Sequence, residues 1–401
     1  MNKSQLETMR QSFQIMDQRR NELLKDKSTD KLREKVKKIR ENSINNLSEL
    51  IETAKIRFKE NGIELKYAEN DSDALNIIYK IIGDNEFISK SKSNTIAEIG
   101  LSDFLKSKGI ELIETDLGDR IVQLNPDNHS SSHPIGPALH LNIEKIAEIV
   151  SKNLNVAVKP EPREILDLLK SNVLNELEKC SIGITGANSV AAQDGSVVIV
   201  HNEGNVNLVS MMDTHIVLVG IDKLVGTIEE AISVVKLETL YATGTRVPSY
   251  MNVVSGPSKT ADIEKRLIED MYGAKKVIVI FLDNGRSEAI DKCLWCIGCG
   301  SCIVSCPVYN AIGYDFGYRG YLGGRGVAFS KYIRGSETSF KSGLFSCTLC
   351  GLCTLECPVN IPTNEIIEDM RKDVVKKGYY NKKHSQIVKK IKKNGTPFGK
   401  S

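Results

Sequence analysis

The 401-residue sequence has no long apolar run and none of the common nucleotide-binding fingerprints. No stretch approaches the roughly 18 apolar residues that suggest a membrane span. No Walker sequence occurs, and no G-x-G-x-x-G follows a predicted strand. Residues 1–7 carry no apolar signal-peptide segment. We therefore expect a cytoplasmic protein without a transmembrane segment.

Aromatic residues are also scarce, at 6% with a single tryptophan, and none of them alternate with basic residues as nucleic-acid stacking requires. We expect no nucleic-acid partner. Basic charge is nevertheless concentrated, since residues 371–401 contain eleven Lys or Arg against Asp373 alone. This segment has a net charge of +10. The whole chain has a net charge of +3, so the remaining residues carry −7. The segment could dock on an acidic partner or an anionic membrane surface, or it could be a solvated tail that aids solubility.

The pattern of apolar residues predicts an α/β protein of two or three domains. Helices are predicted over 5–25, from Asp30 to about 58, and over 73–81, 96–107 and 162–179. Strands are predicted over 63–67, 110–116, 121–124, 197–200, 216–219 and 276–282. The continuously apolar strands at 197–200 and 216–219 are typical of a buried parallel sheet. Strand–helix alternation over more than 200 residues favours a mainly parallel sheet.

Eight of the ten cysteines form two copies of one motif, C-x2-C-x2-C-x3-C-P. The first runs Cys296-Ile-Gly-Cys299-Gly-Ser-Cys302-Ile-Val-Ser-Cys306-Pro307, and the second starts at Cys347 and ends in Cys357-Pro358, each position offset by 51 residues. This is the run of bacterial ferredoxins that binds [4Fe–4S] clusters through thiolates. The sequence therefore predicts two [4Fe–4S] clusters.

The cysteine before each proline cannot easily reach the cluster held by its own three neighbours, and in two-cluster ferredoxins it ligates the other cluster. We therefore predict two ligand sets that exchange their fourth cysteine. Cluster 1 takes Cys296, Cys299, Cys302 and Cys357, and cluster 2 takes Cys347, Cys350, Cys353 and Cys306.

Several alternatives remain beside this assignment. Zinc ribbons use pairs of cysteines at C-x2-C, so the four-cysteine run argues against zinc. Cys293 lies three residues before Cys296 and is interpreted as a buried thiol or a backup ligand. We expect Trp295 to pack over a cluster and Cys180 to be a core thiol. The glycine-rich residues 313–326 are interpreted as a connection folded close to the clusters. The 40 residues between Cys306 and Cys347 suit helices, and so resemble the α-helical ferredoxins of respiratory iron–sulfur subunits.

Motifs ahead of the cysteines give the chain a family resemblance. They are Lys90-Ser-Lys-Ser93 with Glu98, Glu114-Thr-Asp-Leu-Gly-Asp-Arg120, Ser132-His-Pro134 with His140, Gly183-Ile-Thr-Gly-Ala-Asn188, Val200-His-Asn-Glu-Gly-Asn205, Gly256-Pro257 and Asp283-Asn-Gly-Arg286. In this order, from about residue 20 to 370, the chain resembles the lactate-utilisation iron–sulfur proteins with a LUD domain.

The resemblance implies an α/β LUD domain with a sugar-isomerase/CoA-transferase-like parallel sheet, N-terminal helices and a C-terminal α-helical ferredoxin-type domain. We predict an N-terminal helical segment at 1–62, the LUD domain at 63–286, the two-cluster domain at 287–378 and the basic tail at 379–401. The resemblance also implies oxidation of L-lactate to pyruvate together with a cysteine-rich CCG-domain subunit and a second LUD protein.

Polar residues at predicted strand ends are candidates for a substrate site. We predict that Lys90, Lys92 and Ser93 bind a carboxylate, and that Thr185, Asn188, Asn202 and Asn205 line the site. Glu203 is the best acid/base candidate, and His133 or His140 could accept the hydroxyl proton of a 2-hydroxy acid. An ordinary lysine-rich loop, polar turns and hydrogen-bonded histidines would explain the same residues without a site.

The sequence thus favours an electron-transfer subunit of a lactate-oxidising complex. Lactate oxidation releases two electrons, whereas each cluster takes one, and no flavin site is evident in the sequence; we therefore expect the catalytic step on a partner. A heterodisulfide-reductase-like electron-transfer subunit with another substrate is the first alternative. A non-catalytic redox sensor or scaffold is the second.

Overall fold

The computed structural model describes residues 1–125, 130–289 and 291–398. The chain opens with three helices, α1 (Lys3–Leu24), α2 (Ser28–Asn45) and α3 (Leu47–Glu60). A capping box between Asn2 and Gln5 starts α1. The single helix predicted from Asp30 to residue 58 is broken at Asn46, whose φ of −114° and ψ of 26° are not helical. Asparagine competes for backbone hydrogen bonds, which explains a break in an otherwise continuous apolar stripe.

Strands and helices then alternate. In chain order they are β1 (Glu64–Ala68), α4 (Asp71–Ile82), β2 (Phe87–Lys90), α5 (Asn94–Ile99), α6 (Leu101–Ser107), β3 (Glu111–Glu114), α7 (Leu117–Leu124), α8 (Ile143–Leu154), α9 (Pro162–Leu177), β4 (Ile182–Thr185), β5 (Ser189–Ala191), β6 (Ser196–His201), α10 (Asn205–Ser210), β7 (Thr214–Gly220), β8 (Leu224–Val225), α11 (Ile228–Thr243), β9 (Tyr250–Val254), β10 (Lys259–Thr260), β11 (Ile268–Glu269) and β12 (Lys276–Leu282). A 3₁₀ turn, Ile221–Lys223, joins β7 to β8.

The main sheet is parallel throughout, in the order β1-β12-β7-β4-β2-β3. This confirms the predicted α/β class. Ile184, Ile216 and Ile278 lie side by side on its central strands and are fully buried. Full burial of each such side chain stabilises the fold by about 1.5–3 kcal/mol. Gly183 on β4 lets α10 approach, because a Cβ there would collide with the backbone oxygen of Val209.

Two strand predictions are wrong. Residues 121–124 form the end of α7, which Asp116 caps by accepting a hydrogen bond from the Asp119 amide. A short apolar run does not distinguish a strand from a buried helical turn. The strand predicted at 197–200 exists as β6, but it pairs antiparallel with both β5 and β9 in a second sheet, ordered β8-β5-β6-β9. Its apolar residues indicate that the strand is buried on both faces, but they do not indicate whether it pairs parallel or antiparallel.

The cysteine-rich part is helical. Its elements are α12 (Asp291–Leu294), α13 (Ser301–Val304), α14 (Pro307–Ile312), β13 (Gly317–Tyr318), β14 (Tyr321–Leu322), α15 (Gly323–Lys341), α16 (Leu352–Leu355), α17 (Thr363–Lys376) and α18 (Lys382–Asn394), with a 3₁₀ turn at Gly313–Asp315. The helices predicted between the two motifs are confirmed as α14 and α15, the latter broken at Gly335. The glycine-rich connection is the β13–β14 hairpin and the start of α15.

One hydrophobic core crosses the predicted domain limits. It contains Met9 and Phe13 of α1, Leu237 of α11 and Val327 of α15, together with Cys299. The N-terminal helices therefore pack against both the α/β region and the cysteine-rich region. The limits at 62, 286 and 378 stay predictions, and residues 399–401 of the basic tail lie outside the described ranges. Within those ranges, no helix is both long and apolar enough to cross a membrane.

Candidate metal centre and adjoining cavity

The two cysteine motifs fold into the same local structure. A glycine in the left-handed region precedes each short helix, Gly300 (φ 75°) before α13 and Gly351 (φ 78°) before α16. The amide of Gly298 donates to Cys296 Sγ, and the amide of Leu349 donates to Cys347 Sγ, each over 3.4 Å. Leu349 adopts a positive φ of 56° to do so, where the first motif has glycine. The sequence repeat is thus a repeat of backbone geometry around the thiols.

One small cavity is lined by Cys306, Cys347, Cys350 and Cys353. Three of these belong to the second motif and one to the first. Cys306 is the N-cap of α14, and Pro307 at the first helical position fixes its direction. This grouping is compatible with the predicted exchange of the fourth cysteine, and the ligand sets stay a prediction.

The complementary group forms around Cys302. Burial raises the pKa of its thiol, and the nearby thiols of Cys296, Cys299 and Cys357 raise it further. Burial likewise raises the pKa of Cys299 to about 12, with Cys357 and Cys296 contributing. Cys353 of the other group is also among the neighbours of Cys302, so the two groups are adjacent.

The donor set fits iron–sulfur clusters. All ten cysteines are free thiols, and the eight in the two motifs offer the soft sulfur donors that iron–sulfur clusters require. Among the described residues, no three His, Cys, Asp or Glu side chains are arranged to hold a single metal ion. Because burial favours the protonated thiols, cluster binding would release protons from them.

The three remaining predictions in this region fare differently. Cys293 is fully buried beside Phe329 and Ile333. It does not line the small cavity of the second cysteine group, and it does not line the larger cavity beside the first group. Trp295 is partly buried and packs against the core that holds the cysteines. Cys180 is only half-buried, at the end of α9, where its thiol donates to the Glu176 carbonyl over 3.7 Å; it is therefore not a core residue.

A cavity of about 370 Å³ lies between the carboxyl ends of the main-sheet strands and the first cysteine group. Six of the predicted substrate residues line it, namely Lys92, Ser93, Asn188, Asn202, Glu203 and Asn205. Cys296 and Cys302 line its other side. Parallel α/β sheets bind ligands at this edge.

Most of these six side chains are already hydrogen-bonded. Lys92 Nζ donates to Asp116 and to the Ile135 carbonyl, each over 2.8 Å. Ser93 caps α5. Asn205 donates to Thr115 Oγ1 over 3.4 Å, and Asn202 accepts from the Ser249 amide over 2.9 Å.

Glu203 and Asn188 also make hydrogen bonds within the protein, and their predicted roles stay predictions. The Glu203 carboxylate accepts from the Leu117 amide over 3.1 Å, and desolvation together with the Asp116 charge raises its pKa. Asn188 donates from Nδ2 to both carboxyl oxygens of Glu238, each over 3.0 Å. Its own oxygen accepts from the Val200 amide over 3.0 Å.

Four predicted residues do not line the cavity. Lys90 is buried and pairs with Glu114 over 2.6 Å and with Asp119 over 3.8 Å. Thr185 is buried and shares a hydrogen bond of 2.8 Å with His215. His140 is buried edge-on against Tyr314, and burial lowers its pKa to about 4.

The fourth, His133, lies behind the first cysteine motif. Its Nδ1 accepts from the Ile135 amide over 3.2 Å, so Nε2 carries the proton and faces the Gly300 carbonyl at 3.4 Å. Burial lowers its pKa to about 4. The imidazole therefore supports the turn between Cys299 and Cys302 instead of facing the cavity.

Sequence reasoning missed Glu238 and Lys223, which both line the cavity. Burial raises the pKa of Glu238 to about 7. A charged residue between Leu237 and Leu240, in the apolar stripe of the helix, was the available signal. Lys223 ends the 3₁₀ turn after β7 and donates to the Cys296 carbonyl over 3.3 Å. Its place just beyond a buried strand was the signal there.

Two buried arginines hold the cysteine segment against the α/β region. Arg40 of α2 donates to the carbonyls of Leu294 (2.8 Å), Trp295 (3.4 Å) and Leu224 (3.4 Å). It thereby joins the first motif to β8.

The second arginine, Arg286, donates to Asp222 over 2.5 Å and to Glu98 over 2.8 and 3.0 Å. Burial opposes its charge, but the two carboxylates outweigh burial and raise its pKa well above the usual range. Glu98 and Arg286 both come from the motifs that gave the family resemblance.

Comparison with known proteins agrees with this geometry. Residues 51–282 match the LUD domain, and residues 292–361 match a 4Fe-4S dicluster domain. The chain belongs to the LUD-domain iron–sulfur protein family. It is 31% identical to lactate utilization protein B of Macrococcus caseolyticus, over 89% of this chain and 74% of that one. It is 32% identical to lactate utilization protein B of a Geobacillus species, over 84% of this chain and 71% of that one.

Two further similar proteins have less specific names. The chain is 30% identical to the uncharacterized electron transport protein YkgF of Escherichia coli, over 89% of this chain and 74% of that one. A crystal structure of a DUF162 family protein from Deinococcus radiodurans matches 59% of this chain and 98% of its own, at 13% identity and a TM-score of 0.32. The named relatives and the matching family models support an iron–sulfur protein of the lactate-utilisation group.

Proposed function

We propose that this protein is the iron–sulfur electron-transfer subunit of a complex that oxidises L-lactate to pyruvate. The observation that carries the proposal is the cavity at the sheet edge. Glu203 and Lys92 line one side of it, and Cys296 and Cys302 line the other. A substrate or reduced partner group placed there would lie beside the first cysteine group.

The proposed cofactors are two [4Fe–4S] clusters, each held by three cysteines of one motif and the last cysteine of the other. Bound clusters would supply one-electron storage at two adjacent points. The chain's own residues would hold the clusters, exclude water from Cys299 and Cys357, and keep the two groups close. Two electrons and two protons leave lactate, so the bond-breaking step belongs on a partner that can take an electron pair.

The exposed side of the second cysteine group is where that partner, or the next acceptor, would dock. Cys350 is exposed there, and Leu355 of α16 is 75% exposed. Nearby, Arg371 donates to the carbonyls of Leu344 and Cys347, and the basic tail follows. We propose a cysteine-rich CCG-domain subunit as the partner, with a second LUD protein in the same complex.

The test is anaerobic addition of L-lactate to the purified complex, followed by visible absorbance. We expect lactate-dependent bleaching of the cluster absorbance, and none with D-lactate. Cys350→Ser should lose turnover while partner binding in a pulldown is retained. If L-lactate does not bleach the cluster absorbance of the purified complex, the lactate assignment is overturned.

A second candidate keeps the electron-transfer role and changes the substrate, as in a heterodisulfide-reductase-like complex. It is favoured by the 30% identity to an electron transport protein whose name carries no substrate. In that case the clusters would be reduced by another donor, and lactate would have no effect on the absorbance.

A further inference from the structure

Three cationic side chains line the cavity beside the first cysteine group. Two of them are already hydrogen-bonded to protein groups. Lys92 is used by Asp116 and the Ile135 carbonyl. Arg325 donates from Nε and Nη2 to the Cys293 carbonyl, over 3.3 and 3.0 Å, and stacks on Phe329. Both cations are therefore held in place by contacts with protein groups.

Lys223 is different. Its described contacts are one hydrogen bond to the Cys296 carbonyl, over 3.3 Å, and an ion pair with Asp222 at 4.0 Å. Asp222 is chiefly the partner of Arg286, over 2.5 Å. An ammonium group has three donors, so Lys223 keeps donors for a ligand. Its side chain is 20% exposed, which places a largely desolvated cation at the cavity wall.

Glu238 faces the same space. A Cβ added to Gly298 would lie 3.4 Å from Glu238 Oε1 and 3.9 Å from Lys223 Nζ. The two side chains therefore border the volume over Gly298, between Cys296 and Cys299. No ion pair joins them among the described contacts, and Asn188 holds the Glu238 carboxyl group in place through both oxygens. A cation and a fixed carboxyl group thus line the same cavity, which has a volume of about 370 Å³.

We propose that this end of the cavity binds a small 2-hydroxy carboxylate, with its carboxylate on Lys223 and its hydroxyl group on Glu238. The choice of a 2-hydroxy acid rests on the proposed function, whereas the site itself rests on the geometry. Charge-assisted hydrogen bonds in a desolvated site are the strong ones, which makes Lys223 the main anchor. The ligand would lie directly beside the first cysteine group.

Binding is tested on the cluster-loaded full-length chain by calorimetry, with L-lactate, propionate and lactamide as probes. Propionate lacks the hydroxyl group, and lactamide lacks the charge. We expect saturable L-lactate binding, weaker propionate binding and the weakest binding for lactamide. L-Lactate should also alter the electron paramagnetic resonance spectrum of the dithionite-reduced first cluster.

Variants locate the site. Lys223→Gln should weaken L-lactate binding by about tenfold or more, the loss expected for a charge-assisted hydrogen bond. Lys223→Arg should restore part of it, and Glu238→Gln should reduce the preference for L-lactate over propionate. Lys236→Gln, on the exposed face of the same helix as Glu238, is the matched control and should bind as the parent does.

Equal binding of lactamide and L-lactate, or unchanged binding in Lys223→Gln, would overturn the site. Absence of saturable binding by any probe would overturn it as well. The outcome is separable from that of the proposed function. Binding that depends on Lys223 without lactate-driven bleaching of the complex would retain the site and reject lactate oxidation.

Discussion

Lys223 Nζ donates a hydrogen bond to the carbonyl oxygen of Cys296, 3.3 Å away. The bond joins the turn after β7, at the carboxyl edge of the main sheet, to the first cysteine of the first motif. The carboxyl edge of the main sheet and the cysteine-rich region are therefore in direct contact.

The exchange of the fourth cysteine between motifs predicts which double substitutions spare a cluster. Cys306→Ser combined with Cys350→Ser removes two ligands of one group, so roughly four irons per chain should remain. Cys306→Ser combined with Cys299→Ser touches both groups, so both clusters should be lost. Iron and sulfide analysis after anaerobic reconstitution measures the difference.

Ligation within each motif would reverse this pattern, because Cys299 and Cys306 would then share a cluster. Cys293→Ser is the control from the same segment. It lines neither cysteine cavity, so it should retain the iron content of the parent chain.

The buried network around Arg286 predicts a large loss of stability. Arg286→Met leaves Glu98 and Asp222 buried without their cation, which costs about 3–5 kcal/mol when one partner of a buried ion pair is removed. Urea unfolding gives the free energy of unfolding. Arg163→Met is the matched control, because Arg163 is 80% exposed and pairs with Asp167 on the surface of α9. An exposed pair contributes at most about 1 kcal/mol. Similar losses for both variants would contradict the role of the network.

Gly300 and Gly351 form a matched pair for the turns that carry the cysteines. Both have φ near 75°, where a side chain costs about 1–2 kcal/mol. A Cβ on Gly300 would lie 2.7 Å from the His133 ring, whereas a Cβ on Gly351 meets nothing within 4 Å. Gly300→Ala should therefore destabilise more than Gly351→Ala and also reduce iron content. Thermal unfolding and iron analysis of the two variants provide the comparison, and equal effects would contradict the supporting role of His133.

Much of this architecture could be predicted from the sequence, for identifiable reasons. Apolar runs such as Ile216–Val219 gave the buried sheet because burial on both faces leaves a continuous apolar signal. The cysteine spacing predicted the two groups because ligand geometry constrains short turns directly. The direction of β6 could not be predicted, since parallel and antiparallel strands can be equally buried. The end of α7 could not be predicted either, since a short apolar run fits a buried helical turn as well as a strand.

The candidate site was predicted in part, and the pattern of misses has a physical cause. Lys92, Ser93 and Asn188 follow β2 and β4, and they reached the cavity because the carboxyl ends of these parallel strands share an edge of the main sheet. Asn202, Glu203 and Asn205 follow β6 of the second sheet, and they also reached the cavity. Lys90 and Thr185 did not, since their partners Glu114 and His215 come from neighbouring strands that the sequence alone does not pair with them. Glu238 was missed because it lies among buried apolar residues of its helix, such as Leu237 and Leu240.

Glu238 also predicts a pH dependence of stability. Burial raises its pKa to about 7 from 4.5, so the folded state binds this proton more tightly than the unfolded state. Its contribution to stability is fully present below about pH 4.5 and is lost as the pH rises through about 7. The full loss for a shift of this size is roughly 3 kcal/mol. Glu238→Gln cannot titrate, so relative to the parent it should be more stable at pH 8 than at pH 5.5. Urea unfolding of both chains across this range measures the difference in their free energies of unfolding. Other groups with raised pKa values, such as Glu114, do not change this difference, because both chains contain them. A parent–variant difference that stays constant from pH 5.5 to 8 would show that Glu238 does not hold its proton in the folded protein.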